Sequence, residues 1–307
     1  MRAFTLDGFD SVPRLRDELP EPHAADNELR VRVHASSVNP VDAAIAAGVL
    51  REMAEHEFPV ILGRDFAGTV EDVGGDVSRY AAGDEVYGFH PGANPTVRDG
   101  SWAELLTVPE DAFVAAKPRT LDMGKAGAAP LAAITALAAH DALALTPDET
   151  VLVIGATGGV GSVFVQLAAG AGAHVTAPAL PEDEEYLLDL GAAEILDRNA
   201  DLDATVRERH PDGVDAILDL VSFQPSTALL KDGGRLASAL GAAGEGPLRF
   251  NLMALPTPEN LARLASLLDD GTLRVHIEES YELDRAGDAL SALSGSHTRG
   301  KLGIDIA

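Results

Sequence analysis

The chain has 307 residues, no cysteine, and 49 acidic side chains against 23 basic ones, a formal charge of −26. The missing cysteines exclude disulfides, thiolate nucleophiles and cysteine-ligated zinc together, and the charge excludes nucleic acid and anionic lipid as partners. The length allows two domains, and no apolar run approaches the ~20 residues of a membrane span. The acids are spread along the chain, with 4 Lys among the 23 basic residues. Two readings of this acidity stand side by side: adaptation to high internal salt, where counter-ions screen the self-repulsion, and an ordinary acidic protein. The opening MRAFTLDGF lacks the basic segment and apolar core of a signal peptide, so cytoplasmic residence is expected.

Residues 28–35 (ELRVRVHA) alternate polar and apolar side chains as a half-buried strand does. Residues 66–73 and 84–88 are further short strands, separated by the turns Gly74-Gly75-Asp76 and Gly83-Asp84. Residues 102–108 (WAELLTV) fit one more strand, although Ala and Leu also suit a helix. The texture changes near Pro118. Residues 122–146 are rich in Ala and Leu without strand alternation and read as helices, and Pro147-Asp148-Glu149 is a turn.

Residues 150–154 are an apolar run of strand length. The turn Gly155-Ala156-Thr157-Gly158-Gly159-Val160-Gly161 follows, and residues 162–169 continue at helical spacing. The spacing Ala156-x-Gly158-x-x-Gly161 is the dinucleotide fingerprint with Ala for the first Gly. Such a turn brings backbone N–H groups and a helix N-terminus against a diphosphate. The alternative is a tight strand–helix turn that binds nothing. Strand and helix then alternate: strands at 173–177, 216–220 and 235–240, helices at 182–190 and 225–230, and a capped amphipathic helix at 256–270. This order predicts an α/β fold with a doubly wound parallel sheet, beside a smaller, mostly β module. The tail 301–306 (KLGIDI) is strand-like and is expected to return to the first module.

A set of short motifs runs along the chain: Ser37-Val38-Asn39-Pro40-Val41-Asp42, Gly63-Arg64-Asp65-Phe66-Ala67-Gly68, Val73-Gly74, Gly83-Asp84-Glu85-Val86, Gly100-Ser101-Trp102-Ala103-Glu104, Thr135-Ala136, the fingerprint, Leu190-Gly191-Ala192, Gly233-Gly234-Arg235 and Gly300-Lys301. In this set the chain resembles the medium-chain dehydrogenase/reductase superfamily, in its zinc-free quinone oxidoreductase branch, over nearly its whole length. The resemblance implies a GroES-like barrel from residues 1–118, completed by 272–307, and a Rossmann domain at 119–271. The nicotinamide and substrate are expected in the cleft between them, and a homodimer is expected. It further implies Asn39, Asp42 and Thr135 as catalytic or positioning residues. Cofactor contacts are expected from Ala156, Thr157, Gly158, Gly159, Val160, Gly161, Arg198, Leu240, Gly241 and Lys301. Each has a plainer alternative: Asn39 as a turn residue before Pro40, Asp42 as an acid at a helix start, Thr135 as a mid-helix Thr bonded to its own backbone. Asp65 and Gly68 read as fixing a turn and a strand. Tyr87 and Phe89 line the pocket or fill the core.

Zinc-dependent members of the superfamily carry a His-Glu pair where this chain has Arg64-Asp65, and the nine histidines show no ligand spacing such as HExxH. No metal is therefore expected. Hydride transfer to a quinone or an α,β-unsaturated carbonyl suits such a site, since the conjugated acceptor spreads the new charge over its own oxygen and the protein has only to position the two reactants. Many quinone reductases carry a Tyr two residues after the Asp of NPxD; here that position is Ala44, which leaves the acceptor open. A nicotinamide-binding protein with little catalysis is the alternative. No acid stands at Ala177-Pro178-Ala179, where NAD-specific sites hold the ribose, which favours NADP(H) over NAD(H). The run Glu182-Asp183-Glu184-Glu185 argues the other way, and Arg198 is the nearest partner for a 2′-phosphate.

Overall fold

The computed structural model describes residues 1–52, 57–91, 100–295 and 297–306. The chain forms two compact units, one of Met1–Ala132, Leu255–Gly271 and Val275–Ala307, the other of Ala133–Ala254 and Thr272–Arg274. In chain order the elements begin with β1 (Ala3–Leu6), β2 (Arg14–Arg16), β3 (Glu28–Ser37), α1 (Pro40–Ala46), β4 (Val60–Ile61), β5 (Asp65–Val73), β6 (Glu85–Phe89), β7 (Leu105–Pro109), β8 (Val114–Ala116), α2 (Met123–Ala128) and α3 (Pro130–Leu143). Next come β9 (Thr150–Ile154), α4 (Gly159–Gly170), β10 (His174–Ala179), α5 (Glu184–Asp189), β11 (Glu194–Asp197), α6 (Leu202–Arg209), β12 (Val214–Asp219), β13 (Leu230–Ser238) and β14 (Arg249–Asn251). The chain closes with α7 (Pro258–Asp269), β15 (Ile277–Glu282), α8 (Ala286–Gly295) and β16 (Lys301–Asp305).

The first unit holds a sheet in the order β15-β16-β3-β5-β6-β8, with β7 also on β3, and a smaller sheet β2-β1-β4. β3 alternates half-buried and buried residues until its last three, which are all buried. Leu29, Val31 and Val33 point into a core with Phe66, Trp102, Leu106 and Ile304. The tail does return: β16 pairs antiparallel with β3, Gly303 opposite Ser37. Gly63, at φ +90°, turns the chain into β5, and a Cβ there would meet the Trp102 ring at 2.2 Å.

The second unit is a six-stranded sheet in the order β11-β10-β9-β12-β13-β14, parallel at every pairing. Counted from β9, that is the doubly wound order 3-2-1-4-5-6, whose direction reverses beside β9. Two expected elements change form. Residues 225–230 shrink to one tight turn, Thr227–Leu229. Gly233-Gly234 lie inside β13 rather than before it, where the register against β12 jumps from Val214↔Leu230 to Ala216↔Arg235.

The division also differs from the one read in the sequence. Residues 119–132 and α7 belong with the first unit. Thr257 caps α7, accepting from the Asn260 N–H, and α7 buries Leu261, Leu264 and Leu268. The Tyr87 hydroxyl donates to the Leu261 carbonyl at 2.5 Å. Thr120 donates its N–H to Asp269 at 2.9 Å. Tyr87 is fully buried, so Tyr87→Phe leaves a main-chain carbonyl short of a donor. A loss of about 1–2 kcal/mol in urea unfolding is expected, with the far-UV spectrum unchanged.

Candidate functional site

In the second unit the turn after β9 sits where the sheet order reverses. Three glycines there have three different reasons. Gly155 has φ +89°. A Cβ on Gly161 would lie 2.1 Å from the Gly155 carbonyl, so this glycine lets α4 pack on the turn. Gly158 is the N-cap of α4 with an ordinary φ of −74°, and the nearest atom to a Cβ there is 3.7 Å away. Neither backbone strain nor internal packing requires glycine at 158. The space a side chain would fill faces the first turn of α4, where the N–H groups of Gly159, Val160 and Gly161 have no carbonyl one turn earlier in the helix. That cradle suits a diphosphate, so the residues present fit a dinucleotide.

Around the same strand ends stand the other expected contacts. Arg198 follows β11 directly, and its N–H donates to the Ala179 carbonyl at the end of β10. The side chain is exposed. In the acidic run Asp183 is buried, whereas Glu182, Glu184 and Glu185 are exposed. Beyond β13, the Ser238 hydroxyl accepts from the N–H of Leu240 at 3.1 Å and of Ala242 at 3.4 Å, and Gly241 turns the chain at φ +71°. Thr135 lies in α3, nearly buried.

The first unit brings Asn39, Asp42 and Lys301 together with three residues the sequence reading gave no role in chemistry: Ser37, Arg64 and Asp65. Asn39 caps α1, whose first residue is Pro40, and its backbone N–H donates to Asp42 Oδ2 at 2.8 Å. The Asp42 side chain is wholly buried, its Oδ1 3.9 Å from Arg64 Nε. Asp65, at the start of β5, accepts on Oδ2 from the Ser37 hydroxyl at 2.6 Å and from Asn39 Nδ2 at 2.8 Å. Its Oδ1 accepts from the Leu131 N–H at 2.7 Å. Lys301 Nζ donates to the Val38 carbonyl at 3.1 Å, to Asn39 Oδ1 and to Asp65 Oδ2 at 3.5 Å. Burial pushes the Asp42 carboxyl up to about 7, partly offset by the Arg64 guanidinium and the Asn39 N–H. Burial also lowers Lys301 from its ordinary value, against the pull of Asp65 and Asp42. Signals for the missed residues were present in Gly63-Arg64-Asp65 and in Ser37, two positions before Asn39, but only β3, β5 and β16 lying side by side turn them into a network.

Among the described residues no three His, Asp or Glu side chains converge to hold an ion; His56 lies outside them. Cysteine is absent from the chain, so a cysteine-ligated zinc has no ligand here. Tyr87 and Phe89 are buried. No helix among the described residues is long and apolar enough to cross a membrane.

Residues 25–119 match the alcohol dehydrogenase GroES-like domain and residues 190–302 the zinc-binding dehydrogenase family. The chain is 30% identical to a chloroplast envelope quinone oxidoreductase homolog of Arabidopsis thaliana, over 94% of this chain and 92% of that one. It is 28% identical to an NADPH-dependent alkenal/one oxidoreductase of the same plant, over 98% of this chain and 78% of the other. The solved quinone oxidoreductase of Coxiella burnetii superposes with a TM-score of 0.89 at 28% identity, covering 100% of this chain and 99% of that one.

Two outcomes follow from this geometry. Gly158→Val is expected to weaken dinucleotide binding more than tenfold in a fluorescence titration while leaving the melting temperature within a few degrees; Gly161→Val is expected to lower the melting temperature sharply. The second concerns Asp42. Its folded value of about 7 lies above the ordinary 3.8, so between those pH values the native state holds a proton that the unfolded state lacks. The stability of the group therefore falls as pH rises from about 4 to about 7, then levels off. Asp42→Asn keeps an oxygen for the Asn39 N–H and removes this dependence. Its stability relative to wild type is expected to rise from pH 5 to pH 8; a flat difference in urea midpoints would contradict the assignment.

Proposed function

The chain belongs to the medium-chain dehydrogenase/reductase superfamily, in its quinone oxidoreductase branch, and from that premise we propose that it is a zinc-independent, NAD(P)H-dependent reductase of quinones and α,β-unsaturated carbonyls. One observation carries the reading: at the reversal point of a doubly wound sheet, Gly158 leaves open a cradle that the fold itself does not need. Ala156, Thr157, Gly159, Val160 and Gly161 complete the diphosphate contact, with Leu240 and Gly241 contributing from the loop after β13. Thr135 lines the nicotinamide pocket. A reduced nicotinamide bound there supplies the hydride. This chain holds and orients the reactants, and Asn39 meets the acceptor. The names of the Arabidopsis relatives support both acceptor classes.

NADPH is the preferred donor in this proposal. No acid ends β10, and Arg198 is anchored beside its last residue. Arg198→Ala is expected to raise KM for NADPH about tenfold and to leave KM for NADH within twofold. A homodimer in a salt-rich cytoplasm completes the reading.

Its test is NADPH and NADH oxidation with a panel of quinones and enones, in low and molar KCl, with and without a chelator. Turnover insensitive to the chelator and highest in molar salt is the expected result. Ala44, standing where many quinone reductases carry Tyr, favours a second reading, a dinucleotide-binding protein with little catalysis. Tight NADPH binding with no turnover on any acceptor would select it.

A further inference from the structure

The Asn39 amide has a fixed polarity. An ammonium can only donate and a carboxylate can only accept. With Lys301 Nζ against Oδ1 and Asp65 Oδ2 against Nδ2, the reverse orientation would leave both neighbours facing the wrong group. Nδ2 carries two protons, and among the described residues only Asp65 accepts from it. The second is left to donate. Asn39 is 2% exposed, so the amide is held away from bulk water. Lys301 is itself 6% exposed, with its three ammonium protons directed at Val38, Asn39 and Asp65.

We infer that Lys301 is a positioning residue that acts through Asn39: it fixes and polarises the amide so that the free Nδ2 proton donates to the oxygen of the hydride acceptor. The inference rests on the reductase reading above and assigns Lys301 to the acceptor rather than to the cofactor. In an enone, hydride forms a C–H bond at the β-carbon, the C=C pair shifts to give an enolate, and a solvent proton is taken up at the α-carbon. The dinucleotide leaves oxidised. Charge gathers on the carbonyl oxygen as the hydride arrives, and a donor fixed in advance at that oxygen lowers the barrier more than one that must reorient. The ammonium behind Oδ1 draws electron density along O=C–N and strengthens the N–H as a donor. A quinone already spreads the charge over a ring and a second oxygen, so it needs this donor less.

The test compares Lys301→Met with wild type on an enone and on a quinone. Expected is a fall in kcat of the order of a hundredfold for the enone, the scale on which a lost oxyanion donor acts. Only a few-fold fall is expected for the quinone, with the NADPH Kd from fluorescence titration unchanged. An equal loss on both acceptors, no loss, or a weakened NADPH Kd would overturn the inference. If Lys301→Met fails to fold by circular dichroism, Asn39→Ser decides instead, because it leaves the Lys301–Asp65 pair in place. The same acceptor-graded loss is expected, and an ungraded one overturns the inference. Absence of wild-type turnover on every acceptor would count against the reductase reading itself.

Discussion

Everything in the first unit that concerns function converges on one carboxylate. Asp65 is completely buried, and burying an ionised side chain costs several kcal/mol unless its lone pairs are used. Here three stretches far apart in sequence supply four donors: the junction of β3 and α1 through Ser37 and Asn39, the start of α3 through Leu131 and the start of β16 through Lys301. Hydrogen bonds to a charged group are worth roughly 1.5–3 kcal/mol each. The set offsets the burial and leaves those three stretches little freedom to shift. Asn39 inherits its orientation from that constraint, as does the docking of the C-terminal strand.

In the proposed reading the second unit meets charge by a different route. Its diphosphate cradle offers main-chain N–H groups and glycine, whereas two ion pairs stand at the opposite ends of the strands. Arg235 meets Glu149, and Lys231 holds Asp215 at 2.9 Å. These pairs are partly exposed, so each contributes about 0–1 kcal/mol and is screened by salt. The diphosphate cradle depends on backbone geometry and is far less exposed to that screening. Within that reading a chain of net charge −26 holds the diphosphate in concentrated salt through main-chain groups, and the Arg198 contact to a 2′-phosphate is the part open to screening.

The parallel sheet, the fingerprint and the returning tail were legible because each is a local pattern: an apolar run, a glycine spacing, an alternating hexapeptide. β14 and β15 were not. Arg249–Asn251 is three residues at a sheet edge, and Ile277–Glu282 buries only Tyr281, so neither carries a periodicity to read. At the site, Asn39 and Asp42 stood out through NPxD. Asp65 looked like a turn residue because its role depends on partners up to 236 residues away. Spacing along the chain holds no trace of such a partner. The helix 256–270 was recognisable as a helix, but its attachment to the first unit uses contacts distant in sequence, among them the Tyr87 hydroxyl across 174 positions and Thr120 on Asp269 across 149.

The lysines add a last constraint. The chain has four lysines among its 23 basic residues, yet two of them have side chains that are only 6% exposed, Lys117 and Lys301. Both donate to main-chain carbonyls, Lys117 to Pro118 and Leu121, Lys301 to Val38. A composition that favours arginine elsewhere keeps lysine where a compact ammonium must direct several short bonds to acceptors at separate angles. The planar guanidinium, whose donors share one plane, does this poorly. At Asn39 the nearest charged groups are Lys301 on Oδ1 and Asp65 on Nδ2, so the field on the amide is set by neighbours a few ångströms away.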